Sequence, residues 1–137
     1  MTAVFADTFY WVALTDPDDA LYERAVHTET LLAGRSLVTT DEVLTEFLTF
    51  FGGSLRLRRR AVETVRELES DPNILILPQS RESFQSGFEL YAARPDKGYS
   101  LTDCVSMQTM RREGLTDILT NDKHFEQEGF RALLRDP

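Results

Sequence analysis

One pattern limits the fold more than any other. Short apolar runs of strand length alternate with longer segments of helical periodicity, from one end of the chain to the other. The short runs are "AVFAD" (residues 3–7), "SLVTT" (36–40), "ILILP" (74–78), "DILT" (117–120) and "FRALL" (130–134). Four to five residues suit a strand and are too few for a core helix. "ILILP" is unbroken, the kind of run found in a parallel strand covered on both faces.

Between these runs the helical segments carry their own punctuation. "TFYWVALTD" makes a turn or two of helix after the first run. Asp16-Pro17 suits a cap and first turn, so a helix is expected from Pro17 through Leu21, Ala25 and Leu32 to Gly34. Val43, Phe47, Phe50 and Phe51 share one helical face, and Gly52-Gly53 ends that helix. Ser54 and Ser80 each open a helix, the first burying Leu57, Ala61, Val65 and Leu68, the second carrying Phe84, Phe88 and Tyr91. "ARPDKGY" (93–99) is a loop, and Ser100 to Glu113 is a helix closed by Gly114. A short helix then separates the last two runs. Strict alternation implies a three-layer α/β/α fold with a mostly parallel central sheet. A length of 137 residues without linker, repeat or low-complexity segment implies one domain, 1–137.

In open α/β sheets, ligands bind outside the carboxyl ends of the strands. The first run ends in Asp7-Thr8, and the run at 117–120 ends in Asn121-Asp122. Two distant segments therefore bring an Asp to the same edge. Asp103 lies in the first turn of the helix that leaves the 93–99 loop. Each acid also has an ordinary explanation. Asp7, Asp41 and Asp122 suit helix N-termini, and Ser100-x-x-Asp103 and Thr39-x-x-Glu42 fit capping boxes.

Glu46 resists that explanation, because it lies too far inside its helix to cap it. At about 100° per residue it falls roughly 40° from Phe50 and roughly 60° from Val43, on the margin of the apolar face. A half-buried carboxylate needs a cation or hydrogen bonds, so the alternative is a salt bridge to an arginine. Glu42, one turn earlier, points nearly opposite the centre of that face.

Asp7, Glu46, Asp103 and Asp122 together form a set of hard oxygen ligands, suited to Mg²⁺ or Mn²⁺ and not to Zn²⁺. Mutually repelling carboxylates coexist when cations neutralise them. The chemistry implied is metal-assisted hydrolysis of a phosphodiester. The net charge of −8 argues against a broad cationic surface for nucleic acid, though not against an acidic pocket that fills with cations. Arginine supplies nearly all the positive charge. Its two runs, Arg56/Arg58/Arg59/Arg60 and Arg111/Arg112, are either nucleic-acid contacts or solvated helix faces.

With these residues in place, "VFADTFYWVAL", "VTTDEVLTEFLTFF", "SLTDCVSMQTM" and "DILTNDKHFEQEGF" resemble the four acidic motifs of PIN-domain proteins, in order and spacing. The likeness is greatest to the VapC-type toxins of toxin–antitoxin pairs and spans essentially the whole chain. It implies an Mg²⁺-dependent endoribonuclease, Mn²⁺ being a second fit. Asp7, Glu46, Asp103 and Asp122 match the catalytic and metal-binding acids, and Thr8, Thr120 and Asn121 the small polar positions that support them. Glu46 is favoured over Glu42 by both helical phase and alignment. The resemblance further implies an RNA substrate, a cognate antitoxin and a homodimer. A PIN-like module that binds RNA or protein without cutting is the alternative, and loss of an acid would be its mark.

The single Cys104 cannot form an internal disulfide, which fits a reducing cytoplasm, and no apolar run approaches bilayer length. Cys104 is expected in the core. Trp11 and Phe9 read as core or dimer contacts, and His27 as exposed. His124 lies beyond a strand end, on what reads as a solvated turn, and is left outside the site because hard cations have little use for imidazole. A phosphoacceptor receiver domain would need an Asp where Pro78 and Gln79 stand. A haloacid-dehalogenase-type phosphatase would need one at Phe9.

Overall fold

The computed structural model describes residues 3–135; residues 1–2 and 136–137 of the expected 1–137 domain lie outside the described residues. The five apolar runs all become strands: β1 (Val4–Ala6), β2 (Leu37–Thr40), β3 (Ile74–Leu77), β4 (Asp117–Leu119) and β5 (Arg131–Ala132). They form one sheet in the order β3-β2-β1-β4-β5, and every pair is parallel. Phe5 sits opposite Val38 on one side and Ile118 on the other. The middle of the sheet is accordingly the driest part of the molecule. Val4, Phe5, Ala6, Ile118 and Leu119 are fully buried.

The helices are α1 (Thr8–Thr15), α2 (Tyr22–Leu31), α3 (Asp41–Phe50), α4 (Leu55–Ser70), α5 (Arg81–Ala93), α6 (Leu101–Glu113) and α7 (Lys123–Gln127). Their placement follows from the strand order. The chain steps outward from β1 to β2 to β3, then returns across the sheet to β4 and β5. Right-handed crossovers in opposite directions put α1–α4 on one face and α5–α7 on the other. Within these layers α1 packs against α2, α3 and α4, and α5 against α6; α3 also meets α6. Gly87 lets α5 and α6 meet closely, since a Cβ there would fall 2.4 Å from Val105 Cγ2. Gly114 closes α6 in the left-handed region at φ +68°. This is the three-layer architecture the alternation implies.

Four local expectations change. β3 is an edge strand, and Leu75 is 53% exposed, so "ILILP" is not covered on both faces. A continuous apolar run gives no cue to its own position in the sheet. The second helix begins at Tyr22 and not at Pro17. Asp16 and Asp19 instead accept from the amides of Asp18 and Leu21, closing local turns that compete with a helix start. Thr40, not Asp41 or a Thr39 capping box, caps α3 through the amide of Val43. Phe50 shares the helical margin with Glu46 but points outward, 65% exposed, while Val43, Phe47 and Phe51 are buried.

Candidate active site

The strand order reverses between β1 and its neighbours β2 and β4, and the crevice of a parallel sheet opens at such a switch point. Asp7 leaves β1 there, and Asp122 follows β4 by a three-residue turn. A cleft of about 340 Å³ opens beside them, lined by Thr8, Phe9, Glu46, Phe50, Asp103 and Asp122 among others. Asp7 itself is 2% exposed and precedes Thr8 of that lining.

Asp7 stands at the N-cap position of α1, yet its side chain makes no capping hydrogen bond. Its Oδ2 instead accepts from Thr120 Oγ1 at 2.9 Å. The Thr120 oxygen also accepts from the amide of Asp122 at 3.2 Å. The fully buried Thr120 thus ties the first acid to the last. Burial, then the negative charge of Asp103, push the Asp7 carboxyl up to about 7; Glu46 adds to the rise, and Thr8 and Thr120 oppose it. An acid held this far above its ordinary range lacks a counter-charge.

Asp103 and Asp122 both keep their capping roles. Asp103 Oδ2 accepts from the Ser100 amide while Ser100 Oγ accepts from the Asp103 amide, a complete capping box. Burial raises the Asp103 carboxyl to about 6, and the charges of Asp122 and Glu46 add to it. Asp122 Oδ1 caps α7 by accepting from the His124 amide at 2.9 Å. Glu46 is half-buried, as its helical phase implies, and among the described residues no arginine pairs with it. Its electrostatic neighbours are Asp7 and Asp103. Glu42 is turned elsewhere, accepting from Ser83 Oγ at 2.7 Å.

The fold therefore brings together four acids from four separate segments. Among the described residues, the tightest group with metal-ligand spacing is Asp103, Asp122 and His124, whose ligand atoms lie within 4.8 Å of one another. Asp7 and Glu46 are not part of that tight group. Thr8 Oγ1 and His124 Nδ1 are buried with no hydrogen-bond partner. Buried acids without counter-charge beside orphaned polar atoms fit a divalent cation.

His124 is the residue that sequence reasoning misplaced. Its ring is not on a solvated turn. It packs against Tyr99, with centroids 5.1 Å apart, and points Nδ1 at the acids. The Asp122-x-His124 spacing around a helix cap was the available signal. Asn121 is exposed, and its carbonyl accepts from Arg135. Cys104 and Trp11 are in the core, while Phe9 is 51% exposed at the cleft and does not belong to the core. Arg111 has a structural partner, donating to Glu128 Oε1 at 2.8 Å and lying over Phe130. Arg58 donates to the carbonyl of Gly52.

The chain matches the PIN domain over residues 4–130. It is 24% identical over 129 residues to the 23S rRNA-specific endonuclease VapC20 of Mycobacterium tuberculosis, covering 93% of this chain and 95% of that protein. The crystal structure of that Sarcin-Ricin loop cleaving toxin superposes with a TM-score of 0.83 at 22% identity, over 93% of this chain and 96% of the other. VapBC2 from Rickettsia felis, bound to a DNA fragment from its promoter, gives a TM-score of 0.70 at 16% identity, over 96% and 97%. FitAcB from Neisseria gonorrhoeae gives 0.67 at 18%, over 94% and 95%. The acids, their positions at the sheet edge and the match along nearly the whole chain agree: this protein belongs to the PIN-domain family.

Proposed function

We propose that this chain, acting as a single domain, is a metal-dependent endoribonuclease and the toxin of a VapBC-type toxin–antitoxin pair. One observation carries the reading. Glu46, Asp103 and Asp122 line one cleft, and the buried Asp7 is electrostatically coupled to Glu46 and Asp103, with the Asp7 and Asp103 carboxyls raised to about 7 and about 6 by burial and mutual charge. A purely structural set of caps has no need of that arrangement. We assign these four as the catalytic and metal-binding acids, with Thr8, Thr120 and Asn121 in support and Mg²⁺ or Mn²⁺ as the ion.

A divalent cation in this cleft supplies charge neutralisation, polarised phosphoryl oxygens and a nucleophilic water at neutral pH. The chain does the rest. Asp103 and Asp122, whose carboxylate oxygens lie within 4.8 Å of each other, would hold the cation. Asp7, outside that tight group, would take the proton of the attacking water, a role suited to a carboxyl raised to about 7. Thr120 fixes Oδ2 of Asp7. Phe9 and Phe50, exposed along the same cleft, offer faces on which unstacked bases rest.

The named activity of VapC20 makes 23S rRNA the first substrate to try. The reading carries with it a cognate antitoxin, for which the likeness to VapBC2 speaks, and a homodimer acting in the cytoplasm. Phe84, Phe88 and Tyr91, exposed along α5, offer an apolar face for such an assembly. Among the described residues, no helix is long and apolar enough to cross a membrane.

The test is cleavage of purified ribosomal RNA by the wild type, by Asp7→Asn and by Asp122→Asn, with Mg²⁺ or with chelator. Cleavage by the wild type alone, and only with metal, is expected. Cation binding without cleavage of any RNA would favour the silent module instead.

A further inference from the structure

We propose that His124 is a ligand of the metal site, supplying an imidazole nitrogen beside Asp103 and Asp122 and shifting the site's preference from Mg²⁺ toward Mn²⁺. The proposal rests on the acid cleft being a cation site, and it concerns a residue outside the acid set. Nδ1 of His124 lies 3.3 Å from Asp122 Oδ1 and 3.8 Å from Asp103 Oδ2. Donors bound to one octahedral ion at about 2.1 Å stand about 3 Å apart when adjacent and about 4.2 Å apart when opposite. Both distances to Nδ1 fall in that range, and all three ligand atoms lie within 4.8 Å of one another. Nδ1 is buried and makes no hydrogen bond, although Asp122 Oδ1 at 3.3 Å is close enough to invite one. An imidazole used only as a donor would have turned to satisfy itself.

The surroundings hold the ring in this pose. The His124 amide is fixed by the Asp122 carboxylate, so the backbone of one candidate ligand is tied to the side chain of another. The ring leans on Tyr99, whose hydroxyl donates to Glu128 Oε2 at 2.9 Å. Glu128 is in turn clamped by Arg94 at 3.1 Å and Arg111 at 2.8 Å. Outer contacts of this kind orient first-shell ligands in metal proteins. Two carboxylates with one imidazole form a mixed shell, and nitrogen donors favour transition ions over Mg²⁺.

The test is pulsed electron paramagnetic resonance of Mn²⁺ bound to the full-length chain, with Mn²⁺ and Mg²⁺ titrations alongside. The variants are His124→Phe, which keeps a ring against Tyr99, and His27→Gln, which removes the exposed second histidine. The expected result is ¹⁴N modulation from one imidazole in the wild type and in His27→Gln, and its loss in His124→Phe. Mn²⁺ affinity should fall at least about tenfold in His124→Phe, and Mg²⁺ affinity less. Mn²⁺ bound to the wild type without ¹⁴N modulation overturns the ligand role and leaves the acid site intact. Failure of the wild type to bind Mn²⁺ at all overturns the metal-site reading, and the ligand role with it.

Discussion

The hydroxyl of Thr120 donates to the carboxylate of Asp7 at 2.9 Å, across 113 residues of sequence. The same oxygen accepts from the Asp122 amide, so one buried side chain sets the spacing of two acids. Thr120→Val keeps the shape and removes both bonds. It leaves a buried carboxyl and an amide short of a partner, costing about 1–3 kcal/mol. Because the hydroxyl opposes the rise of the Asp7 carboxyl, its loss should push that group further above about 7. Urea denaturation should show the stability loss, and the acid limb of the cleavage profile should move to higher pH. An unmoved limb would separate Thr120 from the chemistry.

Asp7→Asn should trade activity for stability. The carboxyl is buried, and its raised pKa means that ionising it costs the folded state free energy. The amide keeps the volume and the contact with Thr120 and carries no charge. Cleavage should be lost, while the metal-free melting temperature at pH 8 rises above that of the wild type. Active sites commonly store such strain. A lower melting temperature for the variant would show that the carboxylate is stabilising, contrary to its environment.

The metal-free protein should lose stability as the pH rises. Asp7 and Asp103 go from an ordinary 3.8 to about 7 and about 6 in the folded chain. Between those values the folded state binds more protons than the unfolded one, so unfolding becomes easier with increasing pH. Their favourable contribution is full below about 4 and gone above about 7, on the order of 4 kcal/mol for Asp7 alone. A bound cation should reverse the trend, because metal and proton compete for the same oxygens. Melting curves from pH 4 to pH 8, with chelator and with Mn²⁺, measure both slopes. Parallel slopes would mean that the cation binds elsewhere.

How much of this was legible depends on which physical cue a residue carries. Asp7 and Asp122 could be found because strand ends are local and the sheet-edge rule is general. Glu46 could be found because helical phase fixes its direction, and the missing arginine partner agrees with that phase. Phe50 obeys the same phase but is exposed, meeting Phe51 edge-to-face while Phe51 takes the buried position. β3 was taken for a covered strand because Leu75 and Ile76 look alike in sequence, and only the strand order exposes one of them. His124 was out of reach for a different reason. Its ring direction is set by Tyr99 and, through it, by Glu128, and ligand preference alone cannot report a packing contact.

Glu128 anchors that contact and can be tested separately. Burial works to raise its carboxyl, but hydrogen bonds from Arg111, Arg94 and Tyr99 outweigh it and hold the group at about 2, below the ordinary 4.5. A depressed carboxyl contributes stability that is full above about 4.5 and lost as the pH falls toward 2. Glu128→Gln should cost about 2 kcal/mol at pH 7, a figure kept small because both arginines are more than a third exposed. The cost should shrink at pH 3. If His124 depends on Tyr99 for its pose, the variant should also weaken Mn²⁺ binding without touching any ligand.

Phe9 and Phe50 should separate RNA binding from metal binding. Both are large, apolar and more than half exposed, and both line the cleft that holds the acids. Water-facing aromatics at a nuclease cleft are well placed to stack on unpaired bases, a contact worth about 1–3 kcal/mol each. Phe9→Ala and Phe50→Ala should each weaken single-stranded RNA binding by roughly tenfold in a catalytically inert Asp7→Asn background. Mn²⁺ affinity in that background should not change, since neither ring offers a donor to the ion. Folding should suffer little, because exposed side chains contribute little core packing. RNA affinity that survives both truncations, with loss of self-association in their place, would assign these rings to a protein interface.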